Sequence, residues 1–305
     1  MRKVSLLTTL LMSLFLVACG GDPAATLTYT GITTQAAITD TNAKTVVVDE
    51  MSNTNTTSSA TGASSSVSDD ARNKAFKYAK SKALSFSQGV RSAVTSSSES
   101  EVGPCGGKVT YDTTVNDVTY EIDITATFQS YCEENALMSG SMFFEMDLNA
   151  RRTDYAAKIT YTNFTVYEDN LQFTMSGTVT SEGIFYSTPL TLNMVMVNNT
   201  KSEQVKLENF VVTTGASSVE YSGRIYHSTH GYVDVTTLEP MTFDSSGYMS
   251  SGSIKLEGAN SNAILSAATN GGYLLELDIN ADGVVDTSET GAWAELSDEA
   301  LFGTF

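Results

Sequence analysis

The chain has 305 residues, 17 Lys and Arg against 35 Asp and Glu, a formal net charge of −18 and a hydrophobic share of 41%. The apolar share excludes a wholly disordered chain. The acidic balance excludes a nucleic-acid binder, because a phosphate backbone recruits Lys and Arg. Two His, three Cys and one Trp leave little material for a catalytic centre or a transition-metal site.

Arg2 and Lys3 precede a mostly apolar run from Leu6 to Val17. That run is well short of the ~20 residues a spanning helix needs. It ends in Leu16-Val17-Ala18-Cys19, followed by Gly20 and Gly21. This ending resembles the lipobox of bacterial lipoproteins. The resemblance implies that residues 1–18 are a signal peptide and that Cys19 takes a diacylglyceryl group and becomes the acylated N-terminus. Two or three acyl chains then hold the protein on a membrane. Gly20 in the place after the cysteine, rather than Asp, implies the outer membrane of a Gram-negative bacterium. Loss of Arg2 and Lys3 with the signal leaves 15 basic residues against 35 acidic ones, a net −20.

Residues 19–67 form a lipid-anchored segment and linker rich in Thr, Ser, Ala and Gly. Leu27–Tyr29 and Ala36–Ile38 are predicted as short strands. Asp40, Thr41 and Asn42 are predicted to cap a short helix running through Val46, Val47 and Met51. From Ser52 to Ser66 the chain is polar and of low complexity.

Over 68–95 the spacing predicts an amphipathic helix. Ala71, Ala75, Ala79, Ala83, Phe86, Val90 and Val94 recur at three and four residues. Arg72, Lys74, Lys77, Lys80, Lys82 and Arg91 also fall in it. A basic helix can meet anionic lipid. The reading favoured here is a solvated face beside an acidic protein, with the helix packed on its own domain.

After a Ser-rich joint at Thr95–Gly103 the period changes to two. Val118, Tyr120, Ile122, Ile124, Ala126 and Phe128 alternate with polar residues, as in a half-buried antiparallel strand. The pattern recurs about twelve times through 105–305, without crossover helices. The expected fold is mainly β, a curled antiparallel meander, half-barrel or barrel-like, with the helix packed on it. An internal repeat runs through the domain. Asn163 precedes Ser176-Gly177 as Asn209 precedes Ser222-Gly223, and Ser139-Gly140 and Ser251-Gly252 are looser copies. All four glycines fall in register with apolar residues. They are expected to let the sheet curl around its apolar face and admit the small-residue stripe of the helix.

With Cys19 lipidated, Cys105 and Cys132 remain. Export to an oxidising compartment makes them a disulfide that staples the open end of the first hairpin. Closing that loop is worth ~3 kcal/mol by chain entropy.

The strongest local motif is Asp278-Ile-Asn280-Ala-Asp282-Gly283-Val284-Val285-Asp286-Thr-Ser-Glu289. It resembles the calcium loop of EF-hand and dockerin proteins over 278–289. The resemblance implies Ca²⁺ held by Asp278, Asn280, Asp282, the carbonyl of Val284, Asp286 and the two oxygens of Glu289, with Val285 tucked inward and Gly283 at the tight turn. Tyr273–Leu277 before it reads as strand rather than helix, so a structural clip is expected, not a sensor. Trp293 is expected to pack near the loop. His227-Ser-Thr-His230 is the only histidine pair and lacks neighbouring ligands in sequence. There is no nucleophile elbow, phosphate-binding glycine loop or Cys–His pair.

The lipobox, Leu27–Gly31, Cys105-Gly-Gly, the Asn-Phe and Ser-Gly hairpins and the Asp-rich loop together resemble uncharacterised β-rich proteobacterial lipoproteins. That implies a location and an architecture. Three functions follow as expectations. The first is a non-enzymatic envelope lipoprotein, structural or protein-binding, which meets the membrane through its N-terminal lipid and binds no nucleic acid. The second is a carrier of a hydrophobic ligand, using Met142, Met146, Met175, Met194 and Met196 as adaptable walls. The third, a carboxylate-based hydrolase, has no residue pair singled out for it.

Overall fold

Residues with a strict two-residue alternation become strands that bury one side, as twelve of the fourteen strands among the described residues do. The computed structural model describes residues 26–47, 95–116, 118–119, 121–133, 136–148, 155–168, 171–182, 189–215, 217–244, 248–269, 271–293 and 295. The strands are β1 (Thr95–Val102), β2 (Lys108–Asn116), β3 (Glu121–Glu133), β4 (Ala136–Leu148), β5 (Tyr155–Glu168), β6 (Leu171–Glu182) and β7 (Leu190–Asn198). They continue with β8 (Glu203–Thr214), β9 (Val219–His227), β10 (Gly231–Phe243), β11 (Met249–Gly258), β12 (Ser261–Ala267), β13 (Tyr273–Asp278) and β14 (Thr287–Gly291). Each pairs antiparallel with the next in a single open sheet, ordered β1 to β14. The signal peptide, Cys19, the linker and the helix of 68–94 lie outside the described residues, as does the packing expected of that helix.

The predicted meander is thus present, with two more strands than expected. β1 replaces the Ser-rich joint, so the β domain begins at Thr95 rather than 105. β14 forms from the end of the Asp-rich motif. Neither has a buried apolar face, since Ser96–Val102 and Thr287–Thr290 are exposed. They are held as edges by main-chain pairing with β2 and β13. Polar edge strands blunt edge-to-edge association. Val118 does not lie in the strand, and Tyr120 lies outside the described residues. Asn116 Oδ1 accepts the N–H groups of Val118 and Thr119 at 3.0 and 3.2 Å, closing a turn, and β3 starts at Glu121.

Along β3, Ile122, Ile124, Ala126 and Phe128 point into one apolar core, while Glu121 and Asp123 point out. The same core takes Phe164, Met175, Leu192, Phe210, Tyr221, Val235, Leu256 and Tyr273 from the later strands. Each large aliphatic so buried contributes roughly 1.5–3 kcal/mol before entropy is counted. The outward face carries charged residues such as Glu145, Lys158, Glu208, Arg224 and Asp234, the reverse of a lipid-facing barrel wall.

A line of irregular backbone crosses this sheet. Ser130 on β3, Asn163 on β5 and Asn209 on β8 are left-handed, with φ of 49°, 45° and 49°. At each of them the pairing slips by one residue. Gly140 and Gly177 sit between them and Gly223 follows Asn209 on β9, and the line ends where Gly252 faces the slipped stretch of β10 at Pro240. The repeated Ser-Gly pairs therefore lie mid-strand. At Gly177 (φ 136°) an added Cβ would stand 2.2 Å from Asn193 O and 2.5 Å from Met194 Cα on β7. These glycines admit the backbone of a neighbouring strand, the close approach that a glycine inside a strand marks. Phe128 and Phe164, on β3 and β5, meet edge-to-face at 5.2 Å across the place where Gly140 has no side chain. In the repeat, Asn163 N–H donates to Ser176 Oγ at 2.8 Å, whereas Asn209 N–H donates to Asn193 Oδ1 at 2.8 Å. The same bend is held by different partners.

Residues 26–47 form a strap, not strands. Leu27 N–H donates to Asn163 Oδ1 at 3.1 Å, Thr30 N–H to Gln204 Oε1 at 2.8 Å and Ile32 N–H to Ser228 O at 3.2 Å. Ala36 N–H then donates to Tyr232 O at 2.8 Å, and Ile38 N–H to Ser261 Oγ at 2.8 Å. From Gln204 onward these partners lie at the end of the sheet where the turns after odd-numbered strands gather, here called the near rim. The expected short helix is present at 43–47. Thr39 begins it, because Thr39 O accepts the N–H of Ala43 while Asn42 Oδ1 accepts the N–H of Thr39. Ala36, Ile38, Ala43, Val46 and Val47 enter the core.

Candidate functional site: the acidic loop on the near rim

The Asp-rich motif closes the β13–β14 hairpin. A loop this short leaves several N–H groups without strand partners, and its own side-chain oxygens take them. Asp282 N–H donates to Asp278 Oδ1 at 3.1 Å and to Asn280 Oδ1 at 2.9 Å. Gly283 N–H donates to Asp278 Oδ2 at 2.9 Å, and Val284 N–H to Asp282 Oδ1 at 2.8 Å. Ile279 N–H donates to Asp286 Oδ2 at 2.9 Å. Ala281 and Gly283 make the turn with φ of 54° and 86°. Desolvation opposes ionisation of Asp278. The donors from Gly283, the Asn262 amide and Asp282 outweigh it and hold the carboxyl below its usual range.

Glu289 sits apart from this turn, on β14 opposite Leu275. Its carboxylate pairs with the Lys44 ammonium of the strap and accepts from Tyr273 OH at 3.4 Å. That bond to Glu289 raises the Lys44 pKa. Both side chains are about half exposed, so the pair is worth less than about 1 kcal/mol. Beside it Thr287 OH donates to Asp40 Oδ1 at 3.0 Å. Val285 does not tuck inward. It and Val284 are 48% and 63% exposed, because the loop stands off the core and offers no cover. Trp293 packs on Tyr273, ring centroids 5.8 Å apart, and so meets the base of the hairpin rather than the loop. Among the described residues no group of three or more His, Cys, Asp or Glu is gathered as a metal cage.

Cys105 and Cys132 form a disulfide with Cα atoms 5.1 Å apart, across the open end of the β2–β3 hairpin. Cys132 N–H also donates to Gly106 O at 3.0 Å. The five methionines are all buried and belong to the one core.

The histidine pair lies at the β9–β10 turn. His227 is buried, its ring stacks on His230 at 4.8 Å, and its Nδ1 lies 2.9 Å from Thr229 Oγ1. Outside the core, the described face of β8, β9 and β10 carries a network that no local pattern announces. Arg224 holds Asp234 through two bonds of 2.8 and 3.1 Å and stacks over Tyr232 at 3.9 Å. Lys206 lies over Tyr226 at 4.5 Å, and Tyr226 OH donates to Glu208 at 2.9 Å. Strand alternation puts all six outward, but only the pairing register makes them neighbours. The cations cover the ring faces, so the network is internally satisfied.

Compared with protein-family models, curated proteins and solved structures, the chain matches none. No helix among the described residues is long and apolar enough to cross a membrane.

Proposed function

We propose that the chain is a lipid-anchored protein of the Gram-negative outer membrane with a non-enzymatic, structural or protein-binding role. The observation that carries this reading is the Cys105–Cys132 disulfide. Paired cysteines belong to an oxidising compartment. The pairing leaves Cys19, at the end of the apolar N-terminal run, as the remaining thiol for a lipid. In a Gram-negative host fed an alkyne fatty acid, the protein is expected to carry the label and fractionate with the outer membrane. Cys19→Ser abolishes the label, and inhibition of the lipoprotein signal peptidase accumulates a precursor retaining residues 1–18. An unlabelled wild-type protein sinks the reading.

We further infer that the β13–β14 loop binds Ca²⁺ through Asp278, Asn280, Asp282, Asp286 and the carbonyl of Val284. The donor chemistry supports it, since hard oxygens from alternate residues crowd one turn around Gly283. Glu289 joins them only by exchanging Lys44 for the metal. At calcium a hundredfold above Kd, binding adds about 2.7 kcal/mol, a rise of roughly 5–10 °C in Tm for a domain of this size. Asp282→Asn removes that rise, and Lys44→Met preserves or enlarges it. A Tm indifferent to both millimolar Ca²⁺ and EDTA, with no heat on titration, refutes the site.

A further inference from the structure

The exposed apolar residues of this protein are unevenly placed. Nine large hydrophobic side chains are exposed among the described residues. Seven lie on the near rim, among them Val102, Leu137, Tyr167, Ile32, Val284 and Val285. Val102 ends β1, while Leu137 and Tyr167 face each other across β4 and β5 beside their turns. Ile32 rides on the β9–β10 turn, and the two valines tip the β13–β14 loop. The other two are Val118, at the opposite end of the sheet, and Leu238, within β10. Single exposed apolar residues are ordinary. Their gathering on one rim is not.

The N-terminal chain arrives at the same rim. Leu27 is hydrogen-bonded to Asn163 of β5, and from Thr30 the strap follows the turns. Cys19 stands eight residues before Leu27, a reach of at most about 28 Å. Tyr155, at the other end of β5, lies about 26 Å beyond Asn163 along the strand. Glu168, at the near end of β5, lies only about 17 Å from Asn163, so a lipid at Cys19 reaches the near rim with chain to spare and the far end only when those eight residues are fully extended.

We propose that the near rim is a membrane-docking surface, occupied by the leaflet that carries the Cys19 anchor; this rests on the lipoprotein reading above. Aliphatic side chains at the rim enter the headgroup boundary, and Tyr167 is an amphipathic ring suited to that depth. Each contact is weak alone. The anchor makes docking intramolecular, so weak contacts suffice to fix the orientation. The acidic loop on the same rim disfavours an anionic surface, which points to a zwitterionic one.

The test uses the full lipidated chain in vesicles of phosphatidylethanolamine and phosphatidylcholine, with and without brominated acyl chains. Val102→Trp, Val284→Trp and Val118→Trp each add a reporter at an exposed site, with the buried Trp293 as a common background. Bromine is expected to quench the two rim reporters about threefold or more beyond the Val118→Trp reporter. If the protein floats with vesicles while the three reporters are quenched alike or not at all, the docking surface is wrong and the anchor stands. If the lipidated chain fails to float, the anchor reading fails and the docking surface falls with it.

Discussion

Gly177→Ala is expected to be among the most damaging small substitutions in this protein, lowering stability by about 3–4 kcal/mol. Two costs add. The φ of 136° is one that a residue with a Cβ rarely adopts. The new methyl would also stand 2.2 Å from Asn193 O and 2.5 Å from Met194 Cα. Those are backbone atoms of β7, so no rotamer change relieves the overlap and the strand itself must move. The bend at Asn193 would shift with it, and Asn193 Oδ1 holds the N–H of Asn209 in the next irregular step. Gly271→Ala separates the two costs. Gly271 has φ 82° with nothing within 4 Å of an added Cβ, so it carries the dihedral penalty alone, about 1 kcal/mol. Urea denaturation of the two variants measures the difference. A Gly177→Ala protein no less stable than Gly271→Ala would show that the line of glycines and bulges does not determine the shape of the sheet.

That line explains how far the fold was readable. β2 to β13 were legible because each buries alternate residues, and a period of two leaves its mark whatever the neighbours are. β1 and β14 were not. Ser96–Val102 and Thr287–Thr290 bury nothing, and their only signal is the open edge of the strand beside them. The repeat of Asn163 with Ser176 and Asn209 with Ser222 was visible, but its meaning was not. A left-handed Asn and a glycine fourteen residues on are meaningful only once the strands lie side by side.

The candidate site divides the same way. Asp278, Asn280 and Asp282 were legible because their partners are the backbone groups of the same turn. Glu289 was legible as a motif position only. Its partner Lys44 belongs to the strap, whose contacts skip most of the chain. Leu27 and Asn163 are 136 residues apart in sequence, and Thr287 and Asp40 are 247 apart. A segment held by such contacts needs no periodicity of its own, which is why two strands were predicted where a strap exists. Val118 failed for the opposite reason. Its alternation was correct, but Asn116 one turn earlier had already claimed its N–H.

Acidification is expected to cost this protein about 3 kcal/mol between pH 6.5 and 4 through the histidine pair. Burial of His227, reinforced by the charge that His230 would carry beside it, pushes its pKa down to about 4 from 6.5. His230 is lowered as well, by burial, with the carboxylate of Glu203 opposing. Both titrate near 6.5 in the unfolded chain. Over this window the unfolded state binds a proton at His227 that the folded state refuses, so stability falls as pH falls. At 1.36 kcal/mol per pH unit the span from 6.5 to about 4 gives the stated loss. It is complete below about pH 4, where the folded protein also takes the proton, and absent at neutral pH. The loss falls where the strap crosses the sheet, since Ser228 O, next to His227, accepts the N–H of Ile32. Urea midpoints from pH 7 to 4 measure it, with His227→Gln as the comparison that cancels the titration of the many surface carboxylates. The variant's stability should fall less steeply, by close to one proton's worth per pH unit in the middle of the window. Parallel curves for the two proteins would mean that His227 is protonated in the fold as readily as outside it, and that the buried ring pair is not where this protein senses acid.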